Sequence, residues 1–124
     1  IGWVESAEIP ALLNSATVVL IPSRVIEGFG LVAMEAAVMG RPVVATRSGG
    51  LPEVVIDGQT GLIVEKEDSA AFAAAITYLL DHPDVAERMG DAARERAQTE
   101  FGLERHVNAY EMLYKRLSNA FFRE

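Results

Sequence analysis

Three short aliphatic runs constrain the fold of this chain more than any other feature. They are "VVLI" (18–21), "PVVAT" (42–46) and "LIV" (62–64), and proline or glycine stands beside each of them. β-Branched and aliphatic residues without polar alternation are what a strand buried on both faces requires. Helical and glycine-rich stretches separate the runs. Strands alternating with helices imply parallel β-α-β units joined by right-handed crossovers. The first four residues read as the tail of a further strand. "ALLNSA" (11–16) reads as the end of a helix, 31–39 as a helix that Gly40 closes with a left-handed cap, and "GGLPEVVI" as a turn into a short helix. "DGQTG" (57–61) is turn chemistry.

After Asp68, a good N-cap, the pattern is wholly helical. Phe72, Ile76, Leu79 and Leu80 mark the inner face of one helix. Val85, Met89, Ala92 and Ala93 mark a second, which Gly90 is expected to break. Leu103, Val107, Tyr110, Tyr114, Leu117 and Phe121 form an apolar stripe on a third, read as a helix laid on a core rather than a coiled coil. The fold class is therefore α/β: a partial Rossmann-like parallel sheet of three or four strands, helices on both faces and a helical C-terminal tail. A single domain spans 1–124, with an alternating core over 1–68 and the tail over 69–124. Doubly wound sheets ordinarily have about five or six strands, so the chain reads as the second half of such a domain.

Composition removes several classes of function. There are no cysteines, which excludes disulfides, zinc–thiolate sites and cysteine nucleophiles. Eleven basic residues face eighteen acidic ones, a net charge of −7, and the bases are scattered. Nucleic-acid binding needs clustered cations, so it is not expected. Any phosphate held here must be held mainly by backbone amides. No apolar run approaches the ~20 residues of a membrane span. The opening "IGWVESAEIP" has neither the basic start nor the apolar core of a signal peptide. A cytoplasmic home is expected, with attachment to a membrane surface left open for a longer parent protein.

Those amides have an obvious place. In an open parallel sheet, ligands bind beyond the carboxyl ends of the strands. The loop "PSRVIEGFG" (22–30) stands there and leads into the 31–39 helix. The first N–H groups of a helix lack intrahelical partners and carry the positive end of its dipole. Gly28 and Gly30 let the backbone approach a ligand closely. A G-x-G before a helix is by itself as often a structural turn. What raises it is Glu35, the one charged residue between Leu31 and Met39. An unpartnered buried carboxylate costs several kcal/mol, roughly, so Glu35 needs either a partner or solvent. A carboxylate is a good acceptor for two neighbouring hydroxyls, and Glu27 in the loop is a second one. Two carboxylates flanking an amide-lined pocket fit a nucleotide-sugar. The alternative places Glu35 on a solvent-facing edge and makes Glu27 an ordinary loop acid.

The segment "PSRVIEGFGLVAMEAAVMGRPVVATRSGGLPEVVIDGQTGLIV" resembles the C-terminal donor-binding half of retaining GT-B glycosyltransferases of family 4, the class of glycogen synthases and mannosyltransferases. Glu27 and Glu35, with seven residues between them, match its paired glutamates. Gly28–Gly30 ("GFG"), "GRPVVAT" and the "GG-x-P-E" of Gly49 to Glu53 match in order, and "GWV" and the helical tail also fit. The resemblance implies that Glu27 binds hydroxyls of the donor sugar near the reacting centre. It implies that amides around Phe29, Gly30 and Leu31 hold the sugar and diphosphate, and that Glu35 binds the ribose. Ser23 and Arg24 are lesser candidates for polar contacts. The donor would be a UDP-, GDP- or ADP-hexose, transferred with retention and without a metal ion or other cofactor.

The family also uses an Arg/Lys pair on the leaving diphosphate and a separate acceptor-binding N-terminal domain. Neither matches any residue here, so the isolated chain is not expected to turn a donor over. Its exposed strand edge is expected to favour self-association. His82 and His106 read as surface residues. A dehydrogenase is disfavoured, because position 33 is alanine where G-x-G-x-x-G needs glycine, and the next strand ends at Thr46 without an acid. Two other readings stand beside the transferase: a non-catalytic nucleotide or sugar-phosphate binding module, and a helical protein-interaction module.

Overall fold

The computed structural model describes residues 2–121. The elements run α1 (Ile9–Ser15), β1 (Val19–Ile21), α2 (Leu31–Val38), β2 (Val43–Thr46), α3 (Leu51–Val54), β3 (Gly61–Val64), α4 (Ser69–Asp81), α5 (Pro83–Glu100) and α6 (Leu103–Phe121). The three strands form one parallel sheet in the order β1-β2-β3. Residues 2–4 are irregular rather than strand, and Ile1 lies outside the described residues.

Alternation along the strands sorts the core into two layers. Val43 and Ala45 of β2 join Val19, Ala33, Ala36 and Leu51 under α1, α2 and α3. Val44 and Val64 join Leu79, Ala86 and Met89 under α4 and α5 on the other face. The central strand β2 is buried along its whole length, as the aliphatic run predicts. Each valine buried there contributes about 1.5–3 kcal/mol. β1 departs from that expectation: Leu20 is 44% exposed. β1 is an edge strand, and α4 and α5 lean over β2 and β3 instead.

The predicted stops hold. Gly40 adopts φ +66°, and its N–H reaches Ala37 O at 2.9 Å while Arg41 N reaches Ala36 O at 2.9 Å. Asp68 caps α4 by accepting Ala71 N–H at 2.8 Å. Asp57 Oδ1 accepts Ile63 N–H at 2.9 Å across the turn into β3. Pro83 opens α5, where Arg88 donates to Asp84 Oδ2 at 2.8 Å; that hydrogen bond holds the Asp84 carboxyl below its usual range.

Three helical expectations need correction. Leu80 is exposed, one position past the face that Phe72, Ile76 and Leu79 share. Gly90 does not break α5, which continues to Glu100. It is instead the point where α5 crosses the end of α2: a Cβ at Gly90 would lie 2.1 Å from Gly40 O. Gly90→Ala sets a helix-propensity gain of about 1 kcal/mol against an overpacking cost of about 1–3 kcal/mol. With backbone as the obstacle, overpacking wins, and the urea midpoint is expected to fall; a higher midpoint would contradict the close crossing.

The third correction concerns α6. Leu103, Val107, Tyr110, Tyr114 and Leu117 are all exposed, and among the described residues no element packs along the helix. The side chain of Phe121 lies outside what is described. Both sheet faces already carry helices, so α6 leaves after Gly102 with its apolar stripe uncovered. No described helix is long and apolar enough to cross a membrane.

Candidate functional site

The glycine loop occupies its expected place, between the carboxyl end of β1 and the start of α2. Gly30 is the N-cap in the left-handed region, φ +93°, and no side chain caps the helix. A Cβ at Gly30 would lie 2.8 Å from Leu51 Cδ2, so the glycine lets the loop seat on α3. Among the described residues, the N–H groups of Gly28, Phe29, Gly30 and Leu31 donate no hydrogen bond. They form an amide-lined rim at the positive end of α2.

A second loop, following β2, holds the first in shape. Thr46 Oγ1 donates to Ser23 O at 2.8 Å. The buried Ser48 hydroxyl accepts Glu27 N–H at 3.3 Å and donates to Val25 O. Gly50 N–H reaches Glu27 O at 3.0 Å. Gly49 adopts φ +50°, and a Cβ there would lie 1.8 Å from Glu27 O. Sequence reasoning gave Thr46, Ser48, Gly49 and Gly50 no such role. The usable signal was "TRSGG" at the carboxyl end of the next strand, where small hydroxyls and glycines suit backbone-to-backbone contact.

Glu27 is half-buried, and Ser23 Oγ donates to its Oε2 at 3.0 Å. Glu35 is exposed, the solvent-facing placement that the sequence had left open. Leu31, Val32 and Val38 are exposed with it, whereas α2 buries only alanines: Ala33, Ala36 and Ala37. Glu35 stands on the rim of a cleft of about 290 Å³ between α1 and α2, walled by Ile9, Leu13 and Met34. Glu27 and Glu35 therefore flank the free amides, one in the loop and one along the first helical turns.

The remaining candidates divide. Phe29 projects from the loop and rests its ring on Phe101. Arg24 is exposed and lines a groove on the α4 side of the sheet with Ser23, Thr46, Glu65 and Phe72. Arg47 is paired with Glu65 at 2.6 Å, also on the surface. Arg41 donates to Asn14 Oδ1 at 2.8 Å at the opposite end of the strands. Both histidines are exposed: His82 between α4 and α5, His106 on α6 beside Tyr110. No three described histidine, aspartate or glutamate residues gather as a metal site.

Residues 1–96 match the family model of "Glycosyl transferases group 1". The chain belongs to that family. It is similar to the glycogen synthase of Mycobacterium tuberculosis, 41% identical over 114 residues, covering 92% of this chain and 27% of that protein. Among solved structures of the group, the sucrose-phosphate synthase of Thermosynechococcus elongatus superposes with a TM-score of 0.87 and 38% identity, over 97% of this chain and 30% of its own. The Anabaena HepE structure in complex with UDP and glucose superposes with a TM-score of 0.78 and 28% identity, over 90% of this chain and 30% of its own. The chain thus spans less than a third of these relatives. Family membership carries the GT-B α/β fold, and the three parallel strands and long C-terminal helix agree with it.

Proposed function

We propose that this chain is the donor-holding part of a retaining hexosyltransferase whose donor is a nucleoside diphosphate-hexose. The observation that carries the reading is the uncapped α2 N-terminus, with four free amides flanked by Glu27 and Glu35. Amides of Phe29, Gly30 and Leu31 take the diphosphate, which explains how an acidic chain can bind an anion without a lysine cluster. Glu27, steadied by Ser23, accepts from hydroxyls of the sugar. Glu35 accepts from the two ribose hydroxyls, and the apolar cleft beside it receives the base.

An exposed carboxylate suits that role well, because it keeps its hydration until the ribose replaces it. The similarity to HepE, a structure with UDP and glucose, supports the assignment. Transfer places negative charge on the departing diphosphate, at the amides that already face it, so this half contributes positioning and preorganised electrostatics. The apolar stripe of α6 suits a packing surface for further polypeptide of the parent protein, including the part that holds the acceptor.

The test is an amide-resolved NMR titration with UDP, GDP and ADP. Shifts are expected to cluster on residues 28–35. Glu35→Ala removes charge-assisted hydrogen bonds worth about 1.5–3 kcal/mol and is expected to weaken nucleotide binding roughly 10- to 100-fold. No shifts at millimolar nucleotide, or binding indifferent to Glu35→Ala, would overturn the reading.

A further inference from the structure

Phe29 is weakly anchored by its backbone within the candidate diphosphate rim. Glycines flank it on both sides, and among the described residues neither its N–H nor its C=O makes a backbone hydrogen bond. Two glycines leave its peptide planes with wide rotational freedom. Its side chain adds a contact that the backbone hydrogen bonds do not: the Phe29 and Phe101 rings meet edge to face, with centroids 5.9 Å apart and planes at 65°.

Phe101 is itself fixed. It closes α5, and the Arg96 guanidinium lies over its ring, 5.0 Å from the centroid. Arg96 spends its own donors on the end of α3, reaching Val54 O at 2.7 Å and Glu53 O at 2.9 Å, with Glu100 at 3.1 Å. α3 in turn lies beneath the loop, since Leu51 touches Gly30 and Gly50 packs on Gly28 and Phe29. The end of α5, α3 and the loop thus close a triangle in which the end of α5 meets the loop through an aromatic pair.

Resting on the donor reading above, we propose that Phe101 is a positioning residue: its ring, braced by Arg96, orients the Phe29 peptide and so sets how well the amide rim grips a diphosphate. A residue acting this way governs the diphosphate portion of the ligand and not the nucleoside, which Glu35 and the cleft hold.

The experiment measures UDP and uridine affinities by NMR for the unaltered chain, Phe101→Leu, Phe101→Tyr and Phe29→Leu. Aromatic pairs contribute enough beyond their area for a severalfold effect. Phe101→Leu is expected to weaken UDP about fivefold and leave uridine unchanged. Phe101→Tyr, which keeps the ring, is expected to restore UDP binding. Phe29→Leu breaks the same contact from its half-exposed side and is expected to match Phe101→Leu, with no further loss in the double variant. In the unliganded protein the amide resonances of residues 28–31 are expected to move in both leucine variants and return in the tyrosine one. Equal losses of UDP and uridine, or unmoved loop resonances, would overturn the positioning role alone. An unaltered chain that binds neither ligand would overturn the donor reading and this proposal with it.

Discussion

Gly49→Ala is expected to lower the stability of the chain by about 2–5 kcal/mol and to displace the Glu27 carboxylate in whatever fraction stays folded. Two costs add. At φ +50° an alanine occupies the left-handed region, which costs about 1–2 kcal/mol. Its Cβ would also lie 1.8 Å from Glu27 O, 2.8 Å from Glu27 C and 2.9 Å from Glu27 N. All three are backbone atoms, so no rotamer change relieves the clash, and overpacking of that kind costs about 1–3 kcal/mol more. Relief requires the two loops to separate, which pulls Glu27 N–H from the Ser48 hydroxyl and Gly50 N–H from Glu27 O. Urea denaturation reads the first effect and a UDP-hexose titration the second. A midpoint within about 0.5 kcal/mol of the unaltered chain, the range of an ordinary surface change, would mean that the loops are not interlocked. By contrast, a Cβ at Gly28 meets nothing within 4 Å, so Gly28 and Gly49 differ in kind. Gly49 holds the two loops together, whereas Gly28 faces open space.

That difference shows where the sequence was legible. β2 and its neighbours could be read because a buried parallel strand has almost no alternative composition, and Asp68, Gly40 and the 57–61 turn could be read because caps and turns are local chemistry. The loop between β1 and α2 could be placed because the carboxyl end of a strand is set by chain direction alone. Gly90 was misread because propensity treats glycine as a break, while the deciding fact is a second backbone, that of Gly40, fifty residues away in sequence. α6 was misread because an amphipathic stripe shows that a helix face seeks cover without showing what provides it. Glu35 was placed correctly on the helix, but its environment stayed open between a partnered site and a solvent-facing edge. The apolar residues around it suggested burial, but α2 turns its alanines inward and leaves larger side chains outside. Ser48 escaped notice for a related reason. Its hydroxyl serves atoms more than twenty positions upstream, and no local pattern announces such a bond.

The last expectation separates the two glutamates by kinetics. In the longer protein of which this chain would supply the donor side, Glu27→Gln is expected to lower kcat about 10²- to 10³-fold, the scale of losing one preorganised electrostatic group, with a small change in donor KM. Glutamine keeps the size of the side chain and an oxygen that can accept from Ser23, so the loop geometry survives. The negative charge beside the sugar does not. As the diphosphate leaves, positive charge grows on the sugar and negative charge on the leaving oxygens. On the proposed donor reading, the amides of 28–31 that donate no hydrogen bond answer the second and the Glu27 carboxylate the first. The proposed reading puts Glu35 on the nucleoside side, away from charge that changes during the reaction, so Glu35→Ala is expected to raise KM and leave kcat near its original value. Matching KM effects from both variants, with kcat intact, would place both carboxylates in ground-state binding and remove Glu27 from the chemistry. A kcat loss confined to Glu27 would assign the two acids different work across one rim of amides.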